Sequence, residues 1–388
     1  MTFRGVILGA ILLLGAGCGL PDSVPVPGAE AELVLRDMLA GDGASDLKRL
    51  TGSPTRVDVR YTARGRTYDG HVYLPAGPVG AGMVMVPGAS PYGREDPRLV
   101  AFARTLARAR FAVLVPELPG LKELKVKASD ARDLADAFSY LISRPDLTPG
   151  GRAGLGATSY AVGPAVMAAL DPDVSDRMRF LLAIGGYYDL ERVVTFFTTG
   201  HYKDDSKGPA SWIRMDPGEY GKWVFLASYS DRLTDPADRI ALKTMADRKL
   251  ADAAASIDDL RTALGAEGRS VDALMTNADP DKVTSLIASL PEAARADIAA
   301  LNLRGRDLGA MRARPILVHG YDDTIVPYTE SVALAHALRE RSPRLYLANG
   351  LSHVDFKQPG FMDVWNLYAA VNALLAERGP LFPAIRVW

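Results

Sequence analysis

Hydrophobic and polar positions follow two different rhythms along the chain, and each rhythm predicts a different element. The run TRVDVRYTARGRTYDGHVYLPAG, residues 55–77, alternates apolar and polar positions on both sides of a central Arg-Gly-Arg, which predicts a β-hairpin. From residue 81 to Ser159, short apolar runs alternate instead with amphipathic helical segments. Such strands are buried on both faces and joined by right-handed crossovers. The sequence therefore predicts a doubly wound, mostly parallel α/β sheet with an antiparallel hairpin at one edge.

A long helical segment interrupts this alternation. Apolar strand signals stop near residue 187 and return only at RPILVHG and PRLYLAN, close to the C-terminus. The clearest helix between them is DPDKVTSLIASL, with Asp279 as N-cap and Pro280 in the first turn. The predicted parts are a signal peptide (1–17), a tether with a short helix (18–50), a sheet core in two pieces (51–190 and 312–388) and an inserted helical cap (191–311).

The N-terminus has the layout of a secretion signal. Arg4 precedes an apolar run at residues 6–14, and small residues at 15–17 stand before Cys18, the only cysteine. The run is too short to cross a bilayer, which needs about 20 apolar residues. The arrangement resembles the lipobox of bacterial lipoproteins, with Gly15 where leucine is usual. The resemblance implies export, lipidation of Cys18 and anchoring to a bacterial membrane in the cell envelope; a plain signal peptide cut elsewhere, or a buried thiol, is the alternative.

Composition argues against several kinds of partner. The 45 basic and 46 acidic residues give a net charge of −1, so no global field attracts nucleic acid. With five histidines, one cysteine and no His-Glu-x-x-His spacing, the usual zinc sites are not supported, and we expect no metal and no other cofactor. A hydrophobic content of 48% over 388 residues is enough for a large core.

A candidate nucleophile follows one of the apolar strands. The segment RAGLGATSYAVG places Ser159 at a strand-to-helix junction, with Ala157 two residues before it and Ala161 two after. Small residues there allow a strained turn that exposes a nucleophile. The pattern resembles the nucleophile elbow of the α/β-hydrolase superfamily, in which glycines usually stand at both flanking positions. The resemblance implies the α/β-hydrolase fold, with Ser159 as the nucleophile.

A serine nucleophile needs a base and an orienting carboxylate. The segment ILVHGYDDTIVP puts Asp323 three residues after Gly320 at the end of a strand, and YLANGLSHVDF puts His353 just after the last strand. Both spacings resemble the acid and histidine loops of the same superfamily, which implies a Ser159, Asp323 and His353 triad. Asp322 falls one place off the usual acid position.

Other polar residues have simpler interpretations. Asp189 is a rival acid, because some superfamily members carry the acid after the strand that follows the elbow, but it also suits the N-cap of the helix beginning LERVV. His319, within the acid strand, is expected to be structural. We expect His71 to lie at the surface.

The same resemblance implies an oxyanion hole made of main-chain amides. One donor is expected to be the N–H of Tyr160 and the other that of Ala89 in the loop VPGASPYGREDP, with Ser90 as an alternative. The function implied is a serine hydrolase acting on a small-molecule or lipid-like carboxylic ester, with the cap and the oxyanion loop lining its pocket. A peptidase or amidase with the same triad, or a non-catalytic envelope protein, stays open. Cap aromatics could line that pocket or pack the cap onto the core: Phe196, Phe197, Tyr202, Trp212, Tyr220 and Trp223.

Overall fold

A computed structural model describes residues 28–125, 127–205, 211–352, 355–356 and 360–379. The strands are β1 Thr55–Ala63, β2 Arg66–Leu74, β3 Ala81–Val86, β4 Phe111–Pro116, β5 Ala153–Thr158, β6 Phe180–Ile184, β7 His201–Lys203, β8 Trp212–Arg214, β9 Arg314–Gly320, β10 Arg344–Ala348, β11 Leu351–Ser352 and β12 Asp355–Phe356. The helices are α1 Ala29–Ala40, α2 Asp46–Leu50, α3 Pro97–Arg108, α4 Pro119–Lys122, α5 Asp130–Ile142, α6 Val162–Ala168, α7 Leu190–Thr199, α8 Glu219–Ser230, α9 Pro236–Ala251, α10 Asp258–Thr262, α11 Ala266–Met275, α12 Val283–Ala288, α13 Glu292–Leu301, α14 Thr329–Ala337 and α15 Phe361–Leu375.

Eight strands form one sheet in the order β1-β2-β4-β3-β5-β6-β9-β10. From β4 to β10 neighbouring strands are parallel, whereas β2 runs antiparallel to both β1 and β4. The predicted parallel sheet with an antiparallel edge hairpin is therefore confirmed. Because β4 and β5 lie on opposite sides of β3, the chain changes direction there, and a crevice is expected beyond the C-terminal ends of β3 and β5.

The predicted edge hairpin is present, but it closes through a two-residue turn, because Arg66, expected in the turn, is the first residue of β2 and pairs with Ala63. Arg64 and Gly65 have φ angles of 47° and 79°, the left-handed values that a type I′ hairpin turn requires at both central residues. The expectation for His71, on β2, is wrong. Its side chain is buried, with Nδ1 2.7 Å from Asp58 and Nε2 2.9 Å from Glu95. The sequence alone did not reveal that β2 lies inside the sheet, flanked by β1 and β4.

Helices cover both faces of the sheet. One apolar cluster joins α1, α3 and α15 to side chains of the sheet such as Met85 and Leu182, and the other contains α5, α6 and most of the inserted helices. Helix α1 comes from the segment predicted to be a tether and a short helix. It buries Ala31, Val34 and Leu35, so this helix is part of the folded core rather than of a linker.

The segment between β6 and β9 contains the helices α7 to α13 and the small hairpin of β7 and β8, which lies outside the main sheet. Asp279 accepts a hydrogen bond from the amide of Asp281, and Pro280 follows it, which confirms the predicted helix start. The helix itself begins with a 3-10 turn before α12. Among the residues that the structure describes, no helix has the length and apolar character needed to span a membrane.

Candidate active site

Ser159 lies at the turn between the central strand β5 and helix α6. Its φ is +55°, a left-handed value that is rare for a residue with a side chain, and only 6% of the residue is exposed. Strain of this kind costs about 1–3 kcal/mol and persists only where the surrounding structure enforces it. The small neighbours Ala157 and Ala161 are both buried. The turn thus has the backbone geometry that an exposed strand-to-helix nucleophile requires.

The loop after β3 packs directly against this turn. A side-chain carbon at Gly88 would lie 2.8 Å from Ser159 Cβ and 3.3 Å from its Oγ, so only glycine leaves room for the serine. The Gly88 amide donates a hydrogen bond of 2.8 Å to Thr158 Oγ1. The loop is therefore fixed to the end of β5, and its position relative to Ser159 Oγ is set by this contact.

The two amides proposed for an oxyanion hole come from these two segments. Tyr160 immediately follows Ser159, and its buried ring meets Tyr187 edge-on at a centroid distance of 6.1 Å. Ala89 follows Gly88. The amide of the alternative donor, Ser90, already donates to the Leu121 carbonyl at 3.2 Å, which favours Ala89 over Ser90.

Asp323 is fully buried in the loop after β9. Its Oδ1 accepts hydrogen bonds from the amides of Ile325 at 2.8 Å and Val326 at 2.9 Å. Its Oδ2 lies 3.2 Å from Nε2 of His319. Three N–H groups around one buried carboxylate favour its charged form.

His319 holds the acid loop in place, a role that goes beyond the structural one expected from the sequence. Its Nε2 also lies 2.9 Å from the carbonyl of Val326, and its Nδ1 lies 2.7 Å from Ser331 Oγ. Because a carbonyl only accepts, the proton must be on Nε2, where it serves Val326 and Asp323 together. Nδ1 is then the acceptor for the Ser331 hydroxyl. Sequence spacing alone carried no signal for this contact, which needs the turn between His319 and Asp323 to close.

The rival acid, Asp189, is committed elsewhere. It is the N-cap of α7, as the alternative interpretation held, and its Oδ1 accepts from the amide of Glu191. Its Oδ2 lies 2.9 Å from the guanidinium of Arg304, and Asn302 donates to Oδ1 at 3.2 Å. These contacts give Asp189 a structural role in joining α7 to the end of the inserted helices.

His353 and Cys18 lie outside the described residues, as does the whole predicted signal peptide. The segment that leads to His353 is described as far as Ser352. A side-chain carbon at Gly320 would lie 1.8 Å from the carbonyl oxygen of Leu351, so glycine is required where this segment crosses the start of the acid loop. The Tyr321 amide donates to the Ala348 carbonyl at 3.0 Å. The strand end before His353 and the loop of Asp323 are therefore packed together.

A cavity of about 830 Å³ opens at Ser159. We call it the Ser159 cavity. Its rim includes Ser159, Gly88 and Ala89, and its walls come from the sheet, α1, α3 and α15. The oxyanion loop lines the cavity as expected, through residues 87–92. Of the six cap aromatics, however, only Tyr220 is among the lining residues, so the main role expected of the cap is wrong. The reason is that α1 and α15 cover the sheet face next to Ser159, and the cap contributes only a lip.

That lip is bonded to both loops of the site. Tyr220 Oη donates to the carbonyl of Ala89 at 2.9 Å, on the oxyanion-loop side. The Gly218 amide donates to the carbonyl of Thr324 at 2.7 Å, on the acid-loop side. Residues 218–220 thus bridge the two loops across the mouth of the Ser159 cavity.

Comparison with known proteins gives a likeness of structure. No protein-family model matches the chain, and no curated protein matches it. The structure is similar to that of a Legionella pneumophila protein described as a hydrolase, with a TM-score of 0.56 and 13% identity over 91% of this chain and 96% of that one. It is also similar to the rice cell wall degrading esterase LipA from Xanthomonas oryzae, with a TM-score of 0.50 and 13% identity over 90% of this chain and 94% of that one.

The chain has the α/β-hydrolase fold. The predicted fold class is confirmed. At 13% identity the likeness concerns the fold, and function has to be argued from the site. Ser159 follows β5 and Asp323 follows β9, and both residues lie at the C-terminal edge of the parallel strands. In the described part of the chain no cluster of three or more histidine, cysteine or acidic residues could hold a metal ion.

Proposed function

We propose that this protein is a serine hydrolase that cleaves a carboxylic ester through Ser159, His353 and Asp323. The single observation that carries the proposal is the positive φ of Ser159, at the end of the central strand and at the rim of an apolar cavity. Strained residues of this kind cluster at active sites. A glycine at this position would adopt the same positive φ without strain, so the fold alone does not require a serine there.

In the proposed reaction, His353 takes the proton from Ser159 Oγ while that oxygen attacks the acyl carbon of the ester. The amides of Tyr160 and Ala89 stabilise the oxyanion that forms. His353 then returns the proton to the leaving alcohol, and an acyl-enzyme remains on Ser159. Water, deprotonated by His353, attacks the acyl carbon of this intermediate. His353 then gives the proton to Ser159 Oγ as the bond between Oγ and the acyl carbon breaks, which releases the carboxylic acid and restores the free serine. Asp323 orients His353 and stabilises the imidazolium in both halves.

Several contacts support these roles. The three N–H groups around Asp323 keep a charged carboxylate available for an imidazole. Leu351, two residues before His353 in the sequence, lines the Ser159 cavity. Gly88 and Thr158 fix the oxyanion loop beside Ser159. An ester is favoured as the scissile bond because the cavity walls are predominantly apolar, which suits an acyl group better than a peptide main chain that must be hydrogen-bonded.

We further propose that the protein is exported and held at a membrane of the cell envelope by lipid on Cys18. Each buried methylene of a lipid chain contributes about 0.8 kcal/mol, so two or more chains would anchor it stably. Replacing Cys18 by alanine should then move the protein from the membrane fraction to the soluble fraction of the cell envelope. Unchanged fractionation of that variant would contradict the anchor.

The test of the activity is a pair of substrate panels. We expect p-nitrophenyl esters to be hydrolysed, and aminoacyl p-nitroanilides to be cleaved much more slowly. Ser159→Ala should abolish the ester activity while the protein stays folded, because alanine keeps the Cβ and removes only the hydroxyl. Preferential cleavage of the amides would favour a peptidase. Equal ester turnover in Ser159→Ala would refute the mechanism.

A further inference from the structure

The Ser159 cavity continues away from the scissile bond and into one face of the sheet. From Ser159 it passes the side chains of Met85, Leu182 and Val318, which project from β3, β6 and β9. These strands are buried on this face by helices α1, α3 and α15. The cavity therefore lies between the sheet and a three-helix layer, on the side opposite to most of the inserted helices.

The walls that the three helices contribute are mainly apolar. Helices α1 and α15 bring side chains from the two ends of the described chain, and α3 adds others. Among them are Leu35, Met38, Leu99, Leu367, Val371 and Leu374. Apolar side chains that line an open cavity lose dispersion contacts unless something fills it.

The polar groups of the cavity are bonded to one another. Asp37 Oδ2 accepts from Thr105 Oγ1 at 2.6 Å, and its Oδ1 lies 2.9 Å from Lys48 Nζ. Although burial opposes it, the hydrogen bonds from Ser45, Thr105 and Lys48 lower the pKa of Asp37. Near the mouth, Ser90 Oγ donates to Asp96 Oδ2 at 2.7 Å. These partners satisfy the carboxylates, so the cavity does not call for a charged ligand.

We propose that this cavity is the binding site for the aliphatic acyl chain of the ester. This inference rests on the proposed function, because it takes the acyl carbon to lie at Ser159. The volume of about 830 Å³ falls within the range of roughly 300–1,000 Å³ that ligand sites have. Ser159 lines the cavity together with side chains of α1, α3 and α15, so a linear acyl chain whose carboxyl carbon lies at Ser159 would extend along these helices. Helices α1, α3 and α15, and not the cap, then set the acyl-chain length.

Chain length in the wild-type protein is the first readout. For p-nitrophenyl esters, kcat/KM should rise by about fourfold with each methylene that enters the cavity, since burying one contributes about 0.8 kcal/mol. The rise should continue from acetate to at least octanoate. A flat profile, or one that falls beyond acetate, would overturn the inference.

Substitutions on opposite walls locate the site. Ala370 on α15 and Ala101 on α3 both line the cavity, and a phenylalanine at either position would fill part of it. Ala370→Phe and Ala101→Phe should each reduce the octanoate-to-acetate ratio of kcat/KM by tenfold or more. Ala369→Phe is the matched control, because Ala369 is a half-buried neighbour on α15 that does not line the cavity, and its ratio should equal that of the wild type. Unchanged ratios in the folded Ala101→Phe variant would contradict the inference even if Ala370→Phe failed to fold.

A binding measurement separates this inference from the catalytic proposal. The Ser159→Ala variant should bind cis-parinaric acid, a fluorescent long-chain fatty acid, and decanoate should displace it, whereas acetate should not. Ala101→Phe in the same background should weaken that binding at least tenfold. Binding without any ester turnover in the wild type would keep the cavity assignment and refute the proposed reaction. Turnover of short esters without binding or chain-length dependence would refute the cavity assignment alone.

Discussion

In the part of the chain that the structure describes, two cavities lie beside the acid loop, and the larger of these is not the one with the reactive geometry. The Ser159 cavity has about 830 Å³ and mainly apolar walls, and Thr324 and Ile325 of the acid loop line it. The other has about 1,080 Å³, and its lining includes Pro327 of the same loop together with Asp189 and Glu330. We call it the polar cavity. The acid loop therefore separates two spaces of opposite character.

The two cavities differ in the bonding of their polar groups. In the polar cavity they bind one another: Glu330 Oε2 accepts from the amides of Tyr188 and Asp189, and Asp189 pairs with Arg304. These bonds join α14 to the loop before α7. At the Ser159 cavity, a serine with a strained backbone packs against Gly88 and faces an open space with mainly apolar walls. The volume of a cavity thus does not identify a reactive site. Polar groups that converge on one point, beside a residue with a strained backbone, are the better indication.

The largest expected contrast is between the two aspartates. Asp323→Asn should lower kcat for a short ester by about 10⁴-fold, because the amide cannot hold the imidazole in the required tautomer. Asp189→Asn should leave turnover nearly unchanged, because its partners are structural. Steady-state kinetics of both variants, with circular dichroism to verify folding, gives the comparison. Loss of turnover in the folded Asp189 variant alone would exchange the roles of the two residues.

Glu330, in the polar cavity, should make the free energy of unfolding depend on pH. Burial raises the pKa of Glu330 to about 7, against the opposing effects of Arg192 and of the Asp189 and Tyr188 amides. A group with a raised pKa stabilises the fold fully below its unfolded value of 4.5, and this contribution is lost as the pH rises through 7. The wild type should therefore lose up to about 3 kcal/mol relative to Glu330→Gln between pH 4.5 and 7.5. Urea unfolding of both proteins across this range measures the difference in unfolding free energy. If that free energy changed with pH in the same way in the wild type and in Glu330→Gln, Glu330 would not titrate as described.

The contact between Gly88 and Ser159 can be tested by adding one methyl group. Gly88→Ala places a carbon 2.8 Å from Ser159 Cβ, so either the loop or the serine must shift. We expect about a hundredfold loss of kcat/KM, the effect typical of a misplacement near 1 Å, with little change in melting temperature. Gly77→Ala, before the N-terminal end of β3, offers a control, because the new carbon meets open space and the backbone there is not left-handed. Equal activity in Gly88→Ala and the wild type would mean that the loop does not position the reacting groups.

The smallest effect is expected at His319, a positioning residue that contacts Asp323. His319→Ala removes one donor from Asp323 and should cost about 1–3 kcal/mol of unfolding free energy, together with a loss of turnover. His319→Gln keeps an N–H near Nε2 and should restore most of the turnover. Measuring kcat for both variants distinguishes positioning from packing. If glutamine and alanine behaved alike, the hydrogen bond to Asp323 would not matter for the reaction.

The sheet was predictable because its strands are short apolar runs whose burial is visible in the sequence itself. The same holds for Ser159, since the small residues that a strained turn needs stand in fixed positions beside it. The hairpin around Arg64 and Gly65 followed from alternation on both sides. Each of these features depends on residues close together in the chain.

The features that the sequence did not predict depend on contacts between residues that are far apart in the chain. The wall of the Ser159 cavity joins Leu35 of α1 to Val371 of α15, more than 330 positions later, and no local pattern records that contact. The cap was therefore assigned a lining role that α1 and α15 have. His71 was expected at the surface because the sequence does not tell which strand flanks β2. The bond between His319 and Asp323 likewise needs the turn between them to close.

Labelling with a fluorophosphonate tests the central claim most directly. The reagent phosphonylates an activated serine, so peptide mapping of the labelled wild-type protein should find one adduct, on Ser159, and none in Ser159→Ala. Absence of any adduct in a folded wild-type protein, or an adduct on another serine that persists in Ser159→Ala, would contradict the account.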